Sequence, residues 1–145
     1  MAYNATQGFG VVVGRRVILL CGPPASGKST LANSSVFDGL AVFDVDVPPW
    51  SGDEVLFGEA LRQIGMTPDA QAVVIRSGAT LAARKQAADL VKATEIVVLR
   101  VDAKTCVDRV IKRGRLNIPI ARQIAGVRYW WDSFEPEPHH TSRDW

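Results

Sequence analysis

Residues 17–30 read VILLCGPPASGKST. Val17 to Cys21 is an unbroken apolar run, the pattern of a strand buried on both faces of a parallel sheet. Gly22-Pro23-Pro24-Ala25-Ser26-Gly27-Lys28-Ser29 follows and satisfies G-x-x-x-x-G-K-[ST] at every defined position. A loop of this kind, set between strand and helix, turns successive backbone N–H groups inward. The helix N-terminus then adds partial positive charge. A turn that is merely rich in glycine has no need of Lys-Ser after its second glycine. The lysine therefore reads as a phosphate ligand, and residues Gly22 to Thr30 as the seat of a nucleoside triphosphate, with Lys28 on its outer phosphates and Ser29 on Mg²⁺.

Outward from this P-loop the chain alternates. Leu40 to Phe43 is a second strand candidate, Ala72 to Ile75 a third and Glu95 to Arg100 a fourth. Between them the spacing predicts helices from Lys28 toward Val36, from a Ser51/Glu54 capping box to Ile64, and from about Thr80 to Lys92. Asp102 can cap a further helix closed by Gly114, and Pro119 opens a last one whose apolar face is Ile120, Ile124, Val127, Trp131 and Phe134. Alternating strands and helices imply right-handed βαβ units and a mainly parallel sheet in a three-layer α/β domain. Short helical connections favour strand order 2-3-1-4, with residues 9–13 as an extra antiparallel edge strand. No linker or repeat divides residues 1–145, so one domain is expected, with 1–8 and 136–145 as poorly packed tails.

Composition narrows the function classes. The chain of 145 residues is 47% hydrophobic and 22% charged, with a net charge of +2, too small by itself to argue for nucleic acid. No apolar run is long enough to cross a bilayer, and MAYNATQGFG carries no secretory pattern, so a cytoplasmic location is expected. Cys21 and Cys106 sit among apolar neighbours and read as reduced core residues; no zinc pattern is present. A GTPase would carry an N/T-K-x-D segment, which is missing, and the chain has no room for the helical lid of an AAA+ module.

Asp44 and Asp46 end the second strand, two apart and so on one face, at the carboxyl edge where ligands gather in open α/β sheets. One carboxylate can take a proton from an attacking hydroxyl while the other orients a Mg²⁺-bound water; solvated or capping aspartates are the alternative. Arg109, Lys112, Arg113 and Arg115 cluster at the end of the helix before Gly114. Part of this charge complements the helix dipole, but Arg113-Gly114-Arg115 also suits a lid that folds over the nucleotide and neutralises the moving phosphoryl group. Trp131 follows the apolar seam, Trp130 is a candidate for base stacking, and Trp50 a candidate acceptor contact.

These residues resemble the kinase domain of 5′-polynucleotide kinases. The resemblance rests on the P-loop, the Asp-x-Asp strand end, VVIRSGATLAARKQAADLVK and IVVLRVDAKTCVDRVIKRGR, and covers about residues 17–134. The chain is also similar to small P-loop kinase-like proteins of actinobacterial phages. The resemblance implies ATP and Mg²⁺ at Lys28 and Ser29, and Arg109 of the basic cluster is a further candidate for the nucleotide. It further implies Asp46 as base for the 5′-hydroxyl of a DNA or RNA end, Asp44 in the metal's outer shell, and Arg113 and Arg115 in the lid. Two departures stand out: Arg76 occupies the place of an acidic Walker B residue, and Val47-Pro48-Pro49-Trp50 replaces the arginine that usually follows the second strand. Acceptor binding then falls to Asp44, Asp46, Trp50 and Arg76. Two alternatives stay open: a small-molecule kinase of the shikimate or gluconate type, and an ATP-binding module without transfer.

Overall fold

The computed structural model describes residues 14–137 and, through their backbone, 142–143. Five strands form one sheet in the order β2-β3-β1-β4-β5, and all of its pairings are parallel. The strands are β1 (Arg16–Cys21), β2 (Ala41–Phe43), β3 (Gln71–Arg76), β4 (Glu95–Leu99) and β5 (Ser142–Arg143). The helices are α1 (Lys28–Ala32), α2 (Glu54–Met66), α3 (Leu81–Val91), α4 (Ala103–Arg113) and α5 (Ile120–Ser133). The first four strands take the 2-3-1-4 order that the βαβ pattern predicts. Ser142–Arg143, placed by sequence in a tail, instead pair with Val98 and Leu99 at the edge of the sheet. The antiparallel strand expected over residues 9–13 lies outside the described residues.

β1 is the spine of the core because it lies between two other strands and both of its faces are covered. Val17, Leu19 and Cys21 pack with Ala72 and Val74 against Phe57 and Leu61 of α2, Val91 of α3 and Trp130 of α5. Ile18 and Leu20 pack on the opposite face with Val73, Ile75, Val97 and Leu99 against Ala32 and Phe37. Each buried aliphatic side chain of this kind contributes about 1.5–3 kcal/mol. Gly65 lets α2 and α3 approach closely, since a Cβ there would collide with the Leu90 carbonyl. At the lower end of this pair Arg15 donates to Ile64 O at 2.7 Å, Val91 O at 2.6 Å, Thr67 O at 3.2 Å and also to Lys92 O. One guanidinium thus satisfies the last carbonyls of two helices.

Three local expectations change. α1 stops at Ala32, short of Val36, because Asn33 Nδ2 donates to Ser29 O at 2.8 Å and Ser34 Oγ to Leu31 O at 2.6 Å. These side chains compete with the helical ladder, and a 3₁₀ turn over Ser35–Phe37 follows. Asp53, not Ser51, caps α2: its Oδ1 accepts from Val55 N at 3.0 Å and Leu56 N at 3.1 Å. Ser51 is held left-handed (φ 46°) inside a turn closed by Gly52 N donating to Val45 O at 2.7 Å, so it lacks the extended backbone of a cap. On α5 the fully buried residues are Gln123, Val127 and Trp130; of the expected seam, Ile124, Trp131 and Phe134 pack against the core partly buried, and Ile120 is exposed. Asp102 and Gly114 close the two ends of α4 as predicted.

Candidate functional site

The loop between β1 and α1 is shaped by two left-handed residues, Ala25 (φ 63°) and Gly27 (φ 95°), and by Ser26 N donating to Pro23 O at 3.2 Å. Gly22 is required at its start: a Cβ there would lie 2.7 Å from Ser26 Oγ and 3.1 Å from Leu99 O. Lys28 Nζ donates to Gly22 O at 2.7 Å and Pro23 O at 2.9 Å, so the ammonium is folded back over the loop. Burial lowers its pKa from 10.5 to about 8, against the opposing pull of nearby thiols and of Asp44 and Asp46. It remains mostly protonated at neutral pH, but its charge is poorly solvated, and a bound polyphosphate would relieve that cost.

Ser29 Oγ donates to Asp44 Oδ2 at 3.0 Å, and Asp44 Oδ1 accepts from Asp46 N at 3.0 Å. The Asp44 carboxylate therefore joins the first turn of α1 to the turn after β2. Asp46 is exposed just beyond it and close enough to Lys28 to act on the ammonium. Among the described residues no group of three or more His, Cys, Asp or Glu side chains forms a metal cage. A hydroxyl and one carboxylate suit Mg²⁺, which keeps most of its waters and takes further oxygens from phosphate.

A cavity of about 850 Å³ opens beside the loop, walled by Gly27, Thr30 and Leu31 on one side and by Arg109, Arg113 and Arg115 on the other. Arg109 Nη1 donates to Ala25 O at 3.3 Å, which fastens α4 to the loop. Arg113 Nη2 donates to Gln123 Oε1 at 3.1 Å, and Gln123 Nε2 donates to Ile118 O at 2.8 Å and Arg115 O at 3.4 Å. Burial, then the adjacent Arg115, lowers the pKa of Arg113. Sequence reasoning passed over Gln123. The available signal was a polar residue four and seven positions before Val127 and Trp130, that is, in phase with a buried face.

The acceptor-side expectations fare unevenly. Trp50 is half-buried in an aromatic stack, 5.4 Å from the Phe43 ring and 5.1 Å edge-on to Phe57, so it serves packing. Trp130 is core: its Nε1 donates to Ser77 O at 2.7 Å and its ring stacks on Phe134 at 5.0 Å, which leaves no face for a base. Trp131 is the partly buried one, with Nε1 donating to Val101 O at 3.1 Å. Arg76 turns toward α2, ion-paired to Glu54 at 3.0 Å with its guanidinium 5.3 Å from the Phe57 ring centre. Arg84 of α3 is 1% exposed and donates to Gly78 O at 2.7 Å, to Ala79 O at 3.1 Å and to Glu135 O. It is the structural pin of the loop after β3.

No family model matches the chain, and no curated protein matches it. Solved structures do. A sugar kinase from Janibacter sp. HTCC2649 superposes with a TM-score of 0.61 at 16% identity, covering 90% of this chain and 84% of that one. A gluconokinase from Sinorhizobium meliloti 1021 gives 0.60 at 17% identity, covering 89% and 82%. A chain of the Pnkp1/Rnl/Hen1 RNA repair complex gives 0.56 at 16% identity, covering 90% of this chain and 52% of that one. No helix among the described residues is long and apolar enough to cross a membrane. At these identities the likeness concerns architecture: the chain has the α/β P-loop kinase fold.

Proposed function

We propose that the protein is an ATP-dependent phosphotransferase acting on a hydroxyl. The observation that carries this reading is the Ser29–Asp44 bond, which sets a hydroxyl, a carboxylate and the Lys28 ammonium around one loop mouth with Asp46 beside it. Bound Mg²⁺ would shield phosphate charge, and Ser29, with Asp44 behind it, would hold it. Lys28 and the loop amides bind the phosphates, and Arg109, Arg113 and Arg115 enclose them from α4. The acceptor oxygen bonds to the terminal phosphorus as its bond to the bridging oxygen breaks. The hydroxyl proton passes to Asp46, and the electron pair leaves on ADP.

The acceptor side favours a small compound. From Ala41 to Met66 the chain carries Asp44, Asp46, Asp53, Glu54 and Glu59 against the single cation Arg62. Arg62 is itself paired to Glu59 at 2.9 Å. A nucleic-acid end would meet repulsion here, because polynucleotide binding rests on phosphate neutralisation by Lys and Arg. The 5′-hydroxyl of DNA or RNA, the first expectation from sequence, becomes the second reading, favoured by the resemblance of the Asp-x-Asp and lid segments to polynucleotide kinases. Labelled ATP, Mg²⁺ and separate arms of small hydroxyl compounds and a 5′-hydroxyl oligonucleotide test both. Label on a small compound is expected, label on the oligonucleotide supports the second reading, and ATP binding without transfer to any acceptor defeats both.

A further inference from the structure

We propose that the cleft between α2 and α3 holds the acceptor, and that Arg76 recognises an anionic group on it, a carboxylate or a phosphate, so that the substrate is a small hydroxylated acid. This rests on the phosphotransferase reading above and assigns the substrate class of the same site. The cleft measures about 250 Å³. That is below the roughly 300–1,000 Å³ typical of drug-sized ligands and of metabolite scale.

Its position fits the chemistry. Ser77, on its wall, accepts from Gly22 N at 3.2 Å, so the cleft abuts the first residue of the phosphate loop. Across β3, Phe43 is in register with Val74, which brings the Asp44–Asp46 turn level with the end of β3 where Arg76 and Ser77 leave the sheet. The end of β3, which lines the cleft through Arg76 and Ser77, therefore lies between the phosphate loop after β1 and the Asp44–Asp46 turn after β2.

Its lining reads as a site for one anion and a few hydroxyls. Strand alternation places Arg76 with Ala72 and Val74 on the α2/α3 face, and Phe57 supports its guanidinium from below. The side chain is 30% exposed, and among the described residues its one hydrogen-bond partner is Glu54, itself 63% exposed. An ion pair so open to water is weak, whereas a guanidinium in a partly enclosed cleft takes a carboxylate or phosphate through two parallel N–H bonds. Glu54 acts as a placeholder that swings out. Ser77 and Gln86 supply polar groups for the remaining hydroxyls. In the reaction one of these hydroxyl oxygens bonds to the terminal phosphorus of ATP, its proton goes to Asp46, and the bond to the bridging oxygen breaks with its electron pair on ADP.

The test measures acceptor-dependent ADP formation with ATP and Mg²⁺ on separate arms. These are glycerate and gluconate, glycerol phosphate, the neutral glycerol and glucose, and a 5′-hydroxyl oligonucleotide. Turnover is expected with a carboxylate or the phosphate arm, and the arm that responds identifies the anion. Arg76→Met is expected to raise KM for that acceptor about tenfold or more with little change in KM for ATP, Arg76→Lys to recover part of the loss, and Glu54→Gln to lower the acceptor KM. Turnover with only the neutral arms or the oligonucleotide, or an acceptor KM indifferent to Arg76→Met, overturns this inference and leaves the phosphotransferase standing. No turnover on any arm by protein that binds ATP overturns both. If Arg76→Met unfolds by circular dichroism, Glu54→Gln decides: a lowered acceptor KM supports the inference, and an unchanged or raised one overturns it.

Discussion

Ser29 Oγ and Asp44 Oδ2, fifteen positions apart in sequence, meet at 3.0 Å across the mouth of the phosphate loop. The contact exists because β2 lies two strands from β1 in the sheet yet ends at the same edge, with β3 between them. It joins the residue suited to touch Mg²⁺ with the carboxylate suited to orient that ligand. Asp44→Asn is expected to raise the Mg²⁺ concentration needed for half-maximal transfer by about 10- to 100-fold, as loss of an outer partner does elsewhere. Chelation of the metal is expected to stop transfer. A Mg²⁺ titration of initial rates checks both.

In the proposed reaction Asp46 accepts the proton, and its exposed side chain contributes nothing to the core. Asp46→Asn is expected to lower kcat by about 10²-fold or more while KM for ATP and thermal stability stay near those of the parent. Steady-state kinetics alongside a melting curve separate these quantities.

Lys28 makes the stability of the unliganded protein depend on pH. Its folded pKa of about 8 lies below the unfolded 10.5, so between these values the unfolded chain binds more protons. Stability from this group therefore rises as pH increases through that window. Cys21 works in the opposite sense above its unfolded value of 9, since burial raises its folded pKa to about 12. The interval from about 8 to 9 thus reports Lys28 most cleanly. Lys28→Met is expected to remove the rise and also nucleotide binding, as seen in denaturant titrations at several pH values and in ATP binding.

Gly65 has no room for a side chain, because the Leu90 carbonyl fills the space. Gly65→Ala is expected to cost about 1–3 kcal/mol by pushing α2 from α3, measured by urea denaturation. Gly58 on the same helix has open space at its Cβ position, and Gly58→Ala is the matched control, expected to stabilise slightly.

Gln123 holds Arg113 and the carbonyls of Arg115 and Ile118 together. Gln123→Leu keeps the volume and deletes these bonds. It is expected to cost about 0.5–1.5 kcal/mol, the net worth of hydrogen bonds whose partners are exposed, and to lower kcat/KM for ATP. Gln123→Glu keeps the acceptor for Arg113 and is expected to retain more activity than Gln123→Leu.

Sequence was most informative where one residue type has one physical use. The β1 run, the glycines and lysine of the phosphate loop, and the Asp102 and Gly114 ends of α4 were all readable because apolar burial, left-handed backbone and capping each leave a local mark. Phase along α5 was not, since Trp130 and Trp131 are equally apolar. Which one turns inward is decided by the Ser77 carbonyl, 53 positions away. Edge pairing of Ser142–Arg143 joins backbone to backbone at two polar residues, whose types leave no apolar signature in the sequence. Arg76 was legible as an anomaly at the end of β3, but its partners Glu54 and Phe57 belong to a helix whose packing only the tertiary structure reveals.

α5 is anchored at both extremities to different parts of the candidate site. Near its start Gln123 grips the arginine loop over the nucleotide cavity. At its far end the Trp130 indole, and Glu135 just past it, bond to Ser77, Ala79 and Leu81 around the cleft after β3. A stiff rod fastened at two points cannot pivot at one without loading the other. A displacement at one end of α5 would therefore be carried to the other, and any linkage between the two pockets would be reciprocal.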